Sequence, residues 1–245
     1  MKYEEKRAEI RAYLEQTHFP GKKIPTEREL AALFEMNLGM VREVLRELET
    51  LGIIRKHTRQ GNFLNTSVLQ ARQRIDDNCS FLALIQEQGY TVSEQKRLRQ
   101  RPLEEHDAVA QELLGRSRDE LLCFEELYLA DGEPALLSFF YSPASHFGPV
   151  DWDAICEDSA ALQQQIREKT YGDYDHSVIR LLPVIAGKET AAKLGIEPGA
   201  PVELWKELYY NTYDELTQVS FNYLNPRYME LTFIRKRPAS SNSKE

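Results

Sequence analysis

Residues 24–64, IPTERELAALFEMNLGMVREVLRELETLGIIRKHTRQGNFL, decide the fold of the N-terminal part of this chain. Thr26 stands three residues before Glu29. That is the spacing of a capping box, in which a hydroxyl and a carboxylate each satisfy a free backbone N–H at a helix start. Leu30, Leu33 and Phe34 give this helix a buried face. A short turn at Glu35-Met36 leads to Asn37, a good N-cap for a second helix. In that helix Val41, Val44, Leu45, Leu48 and Leu51 recur at helical spacing, and Gly52 is placed to close it in the left-handed conformation. Ile53–Lys56 and Asn62–Asn65 then flank the basic tip THRQG as the strands of a hairpin. A capped helix, a tight turn, a second capped helix and a basic hairpin make a winged helix-turn-helix. Such a module lays its second helix in a DNA major groove and braces it with the wing.

Upstream, Ile10, Tyr13 and Leu14 make an apolar stripe that predicts a helix over Tyr3–Gln16, stopped by Pro20 and Gly21. Downstream, TSVLQARQRIDD (66–77) is polar and lacks a firm pattern. The expected division is a DNA-binding head at 1–66, a linker at 67–77, a second domain at 78–238 and a disordered tail at 239–245. The second domain opens with a short helix over Ser80–Gln88 ending at Gly89, an extended SEQKRLRQRPL and a helix EEHDAVAQELLG. LLCFEELYLA and EPALLSFFYSP flank Asp131-Gly132, the strongest hairpin signal in the chain. A helix SAALQQQIREKTYG, a strand SVIRLLPVIA, a helix KETAAKLG and two strands around Asn211–Leu216 complete it. Strand runs separated by single helices predict an α+β domain with an antiparallel sheet.

With 42% hydrophobic and 29% charged residues the composition is that of a globular protein. No apolar run approaches the roughly 18 residues of a membrane helix, and the charged, periodic N-terminus is unlike a leader. Cys79, Cys123 and Cys156 are odd in number and widely spaced, with no metal-ligand pattern. A cytoplasmic protein without cofactor or metal is expected. The net charge of −8 argues against nucleic acid until the chain is divided. Residues 1–66 carry 12 Lys+Arg and 10 Asp+Glu, whereas 67–245 carry 19 and 29. The acidity belongs to the second part, so a DNA-binding head is electrostatically permitted.

Arg42 and Arg46 lie four apart on one face of the second helix, within reach of phosphates or guanine edges. Arg28 sits on the preceding helix, and Arg55, Lys56, His57 and Arg59 populate the hairpin around Gly61. Taken singly, these residues also fit a merely solvated face. Their joint order with the caps favours a DNA contact.

The resemblance that follows is specific. Pro25-Thr26-Glu27-Arg28-Glu29-Leu30-Ala31, then Val41-Arg42-Glu43-Val44-Leu45-Arg46-Glu47-Leu48, then Gly52, Gly61 and Phe63 resemble the winged-helix head of the GntR family of bacterial transcription regulators. The resemblance implies a DNA interface built from Arg28, Asn37, Leu38, Gly39, Met40, Arg42, Arg46, Arg59 and Gly61. The family's usual Ser-Arg at the mouth of the recognition helix is replaced by Asn37-Leu38, followed by Gly39, and Arg59 stands where the first wing glycine falls. Asn37 can reach an adenine edge and Leu38 a thymine methyl, so an altered operator is expected.

Residues 126–134, ELYLADGEP, together with Ala191–Gly195 and Pro198–Val202, resemble the UTRA effector domain of HutC-like GntR regulators, whose fold is chorismate-lyase-like. The resemblance implies an effector cleft with Ser80, Glu126, Tyr128, Ser138, Ser159, Gln218, Ser220 and Tyr223. The family's two hairpin arginines fall at Glu126 and Tyr128, and its glutamates at Ser138 and Gln218. A carboxylate and a phenol cannot supply the charge-assisted donors that a phosphate needs. What is implied is a homodimeric repressor on a palindromic double-stranded operator, released by a small-molecule effector. The alternative is a chorismate-lyase-like enzyme with an accessory DNA-binding head. Against it, His106 and His176 are isolated, and the adjacent Glu125 and Glu126 point to opposite faces of a strand.

Overall fold

The caps at Thr26 and Asn37 start both helices of the turn where the sequence places them. The computed structural model describes residues 3–57, 59–71, 74–76, 80–99, 104–147 and 174–236. The chain divides into two compact units, one of residues 1–80 with 231–245 and the other of residues 81–230.

The first unit contains α1 (Tyr3–Gln16), α2 (Glu27–Leu33), α3 (Leu38–Thr50), β1 (Ile54–His57), β2 (Gly61–Leu64) and a one-turn α4 (Thr66–Leu69). Its core gathers Ile10 and Leu14 of α1, Leu30 of α2, Val41, Val44, Leu45 and Leu48 of α3, and Ile53 and Leu64 beside the hairpin. Gly52 follows α3 at φ 76°, the left-handed conformation that turns the chain into β1. Leu33, expected in the core, is instead 55% exposed. Glu35 takes φ 54°, so the chain doubles back and the Met36 N–H donates to Ala31 O at 2.9 Å. Met36 is buried in consequence.

The segment read as a linker begins as structure. Val68 and Leu69 of α4 pack against the head core, an apolar pair too short to show a period. Arg74 is buried, donates to Leu51 O at 2.8 Å and pairs with Asp76 at 2.7 Å. The Ile75 N–H donates to Thr232 O at 2.8 Å, and Arg74 and Thr232 form a parallel bridge. Lys236 donates to Glu49 O at 2.5 Å and to Thr50 O, carbonyls of the last turn of α3. A cation belongs there, at the negative end of the helix dipole.

The second unit contains α5 (Phe81–Glu87), β3 (Val92–Arg99), α6 (Glu104–Leu114), β4 (Leu121–Ala130), β5 (Glu133–Pro143), β6 (His176–Ile185), α7 (Lys188–Leu194), β7 (Pro201–Tyr210) and β8 (Leu216–Leu224). Six strands pair in the order β3-β4-β5-β8-β7-β6, and every described pairing is antiparallel. Asp131 (φ 49°) and Gly132 (φ 87°) both adopt positive φ, as a type I′ hairpin turn requires. Leu137, Phe139, Tyr141, Val219 and Phe221 project from one side of the sheet into a core with Ala110 of α6 and Ala191 and Leu194 of α7. The α+β class with an antiparallel sheet is thus as the strand runs predict. The helix expected at 159–172, the tail, Cys79 and Cys156 lie outside the described residues; Cys123 is a free, buried thiol.

Candidate nucleic-acid interface and effector face

At the start of α2, Thr26 Oγ accepts from the Glu29 N–H at 3.3 Å. The Glu29 carboxylate accepts from the Thr26 N–H at 2.7 Å and from its hydroxyl at 2.8 Å. These bonds hold the Glu29 carboxyl below the usual range. At the start of α3, Asn37 Oδ1 accepts from the Met40 N–H at 2.9 Å. A Cβ added to Gly39 would lie 3.1 Å from that same oxygen, so glycine leaves room for the cap.

The capping bond revises the expected interface. A bidentate Asn–adenine pair needs both side-chain atoms, and the Asn37 oxygen is already committed to α3. Met40 is half-buried, with part of its side chain packed on the head core. Leu38, at 37% exposed, stays accessible at the helix mouth. Arg42 is exposed, but its Nε donates to Glu27 Oε2 at 2.8 Å, tying α3 to α2. Arg28 and Arg46 are exposed, with no ion pair among the described residues. A groove between α3 and the hairpin is lined by Arg42, Arg46 and Glu49 on one side and Lys56 and Asn62 on the other. The hairpin is fixed by the Ile24 N–H donating to Asn62 O at 3.0 Å and by a bridge between Lys23 and Phe63. Arg55, Lys56, His57, Arg59 and Gly61 on it are all exposed. Arg59 takes φ 66° and Gly61 φ 105°, so the turn uses the left-handed region twice.

In the second unit, the side of the sheet away from α6 and α7 is buried yet polar. Glu126, Ser138, Asn222 and Trp205 stand in one register row across β4, β5, β8 and β7. The Ser138 hydroxyl donates to Asn222 Oδ1 at 2.6 Å; Asn222 Nδ2 donates to Trp205 O at 3.0 Å and to Ser220 Oγ at 2.8 Å. The Tyr128 hydroxyl donates to Glu126 at 2.5 Å. In the next row Ser220 faces Glu207, whose carboxylate accepts from the Ser177 hydroxyl at 2.6 Å and Trp205 Nε1 at 3.0 Å. Burial pushes the Glu207 carboxyl up, against hydrogen bonds from Ser177, Tyr209 and Trp205 that draw it down. Phe81 of α5 meets the Tyr128 and Trp205 rings edge-on at 5.9 and 5.2 Å.

The structure therefore places Glu126, Tyr128, Ser138, Gln218 and Ser220 on one face. Tyr223 is on the other: its odd position on β8 turns it under α6, with its hydroxyl 2.5 Å from His106 Nε2 and its ring beside Phe139. It is a core residue, which corrects its assignment to the cleft. Ser80 is exposed just ahead of α5, and Ser159 lies outside the described residues. Trp205, Glu207 and Asn222 escaped the sequence reading. The available signal was parity in PVELWKELYY, where Glu203 and Glu207 share the face of Trp205 and Tyr209. Glu125 and Glu126 do face opposite ways, Glu125 accepting from Lys193 of α7 at 2.5 Å. His176 stacks on Tyr210 with ring centroids 5.2 Å apart. Among the described residues no group of three His, Cys, Asp or Glu is arranged to hold a metal, and no helix is long and apolar enough to cross a membrane.

The family model described as "Bacterial regulatory proteins, gntR family" matches residues 2–64, and that of the "UTRA domain" matches residues 87–230. Over 48 residues the chain is 42% identical to the uncharacterized HTH-type transcriptional regulator YcbG of Bacillus subtilis, a match spanning 20% of this chain and 21% of that one. The solved structure of the possible transcriptional regulator YydK from Bacillus subtilis superposes with a TM-score of 0.69 at 21% identity, covering 97% of this chain and all of the other. PhnF from Mycobacterium smegmatis does so at 0.50 and 22% identity, covering 94% and 98%. At such identities the two structures speak for the fold. With a helix-turn-helix matched at one end and an effector-type sheet domain over more than half its length, the chain belongs to the gntR family of bacterial regulatory proteins, with a UTRA domain as its second module.

Proposed function

We propose that this regulator is a homodimeric repressor whose two heads bind the half-sites of a palindromic operator, α3 in the major groove and the hairpin beside it. A small molecule bound on the polar sheet face biases the heads between a DNA-competent and an incompetent arrangement, and the face binds without turning its ligand over. The observation that carries the DNA reading is the exposed Arg46 on a capped α3, across a groove from the basic hairpin. Arg46 is the informative residue, because the Arg42 guanidinium is already shared with Glu27.

The test is footprinting of the full chain on its upstream region over a series of salt concentrations. A two-fold protected site that weakens with salt is expected, with Arg46→Ala lowering affinity by about 1–3 kcal/mol. Unchanged binding by Arg46→Ala would remove α3 from the groove.

A further inference from the structure

Of the polar groups on the effector face, Glu207 is the least explained by folding alone. The residue is 9% exposed, and its carboxylate is held by a hydroxyl, an indole N–H and a phenol. No Lys or Arg lies in ion-pair contact with it among the described residues. The register shows why. Every residue of β4, β5, β6, β7 and β8 that shares its face is apolar, aromatic, neutral polar or acidic. Lys206 and Arg180, the basic residues of β7 and β6, have the opposite parity; Lys206 lies over the Phe221 ring on the helix side.

A second acceptor stands beside it. Gln218 pairs with Tyr209 in the register step next to Ser220–Glu207, on the same face. It is 3% exposed, and its Oε1 has no hydrogen-bond partner among the described residues. A buried acceptor left open costs free energy, and so does a buried carboxylate with no cation. One ligand group that donates N–H bonds and carries positive charge relieves both costs at once. The surroundings suit it: Tyr174 and Tyr209 meet edge-on at 5.3 Å, and Trp205 adjoins. Ring faces attract cations, and their apolar bodies exclude water.

We infer that the effector is a small molecule bearing a protonated amine, with its ammonium seated between Glu207 and Gln218 beside Tyr174, Tyr209 and Trp205. The inference rests on the polar sheet face being the effector site. A phosphate is disfavoured at this end, where the Glu207 carboxylate repels it and the buried, open atom of Gln218 is an acceptor.

The test uses the full chain and matched probes: n-butylammonium and benzylammonium chloride against n-butanol, benzyl alcohol, butyrate and benzoate at equal ionic strength, by titration calorimetry and thermal shift. The ammonium probes should bind at least about tenfold tighter than their alcohols, a preference that charge-assisted hydrogen bonds supply. Glu207→Gln should abolish that preference. Should Glu207→Gln fail to fold, as judged by circular dichroism, Gln218→Leu carries the same expectation. Equal binding of alcohols or carboxylates, no ammonium binding at all, or a preference that survives the substitution overturns the inference. Ammonium binding with no effect on operator affinity leaves the site in place and removes the effector reading. Operator release by glucose 6-phosphate, with no ammonium binding, does the reverse.

Discussion

Asn222 ties the middle of the polar sheet face together, and replacing it with alanine removes three hydrogen bonds at a position with no exposed surface. The Ser138 hydroxyl and Trp205 O each lose their Asn222 partner. At about 1–3 kcal/mol for a buried polar group left unmet, Asn222→Ala should cost roughly 2–4 kcal/mol. Ser138→Ala alone deletes one of those bonds and should cost about 1 kcal/mol. In the Asn222→Ala background the Ser138 change should be nearly free, because its partner is already gone. The coupling is then about 1 kcal/mol, above the 0.3–0.5 kcal/mol scatter of independent sites. Asn222→Asp adds a charge where two donors stood, one register step from Glu207. It should be worse than alanine at neutral pH and should recover as the pH falls and the buried carboxyl takes a proton. The assay is urea denaturation of the full chain, followed by far-UV circular dichroism and by tryptophan fluorescence. Additive costs for Ser138→Ala and Asn222→Ala would refute the network, as would an Asn222→Ala penalty under about 0.5 kcal/mol.

The Glu207 carboxyl is raised in the folded chain by burial. Between its unfolded and folded pKa the native state holds more protons, so its contribution to stability falls as the pH rises through that window. Denaturation midpoints of wild type and Glu207→Gln should therefore diverge in favour of the variant as the pH climbs above the ordinary carboxylate range; a pH-independent gap contradicts the burial argument. Gly52→Ala meets two obstacles, since φ is 76° and the new Cβ would lie 2.9 Å from Lys236 Cε. The backbone part should cost about 1–2 kcal/mol, and the rest should vanish in a Lys236→Ala background, as hydrogen exchange of the last α3 amides would show. Exchange equally fast in both backgrounds would mean that Lys236 does not hold the end of α3.

Much of the head could be read from local signals. Thr26, Glu29 and Asn37 act within three residues of themselves, and Val41, Val44, Leu45 and Leu48 repeat at helical spacing, so their roles survive without knowledge of anything distant. Asp131-Gly132 is legible for the same reason. In the head, the departures fall where the geometry of the turn, and not the apolar stripe, decides burial. Leu33 fits the apolar stripe, but the turn at Glu35 brings Met36 beneath the helix in its place. Met40 fits the outward mouth of α3, but half of it packs inward.

In the second unit the strands were legible as apolar runs beside turn signals, but such runs give parity only within one strand. Which parity meets α6 and α7, and which makes the polar face, depends on pairing between β4, β5, β8 and β7. That pairing sent Tyr223 to His106 and gathered Ser138, Asn222 and Glu207 on the other side.

The sequence by itself determined the head's helices, caps and wing, the strand-rich second domain and the family to which both belong, because these rest on short-range hydrogen bonds and periodicity. Only the tertiary structure decided which groups share the polar sheet face and what they leave unmet. Bonds such as Ser138–Asn222, Ser177–Glu207 and Lys236–Glu49 join residues 84, 30 and 187 positions apart. No local pattern encodes contacts at such separations; they exist once the sheet has fixed its register and the chain has returned to the head.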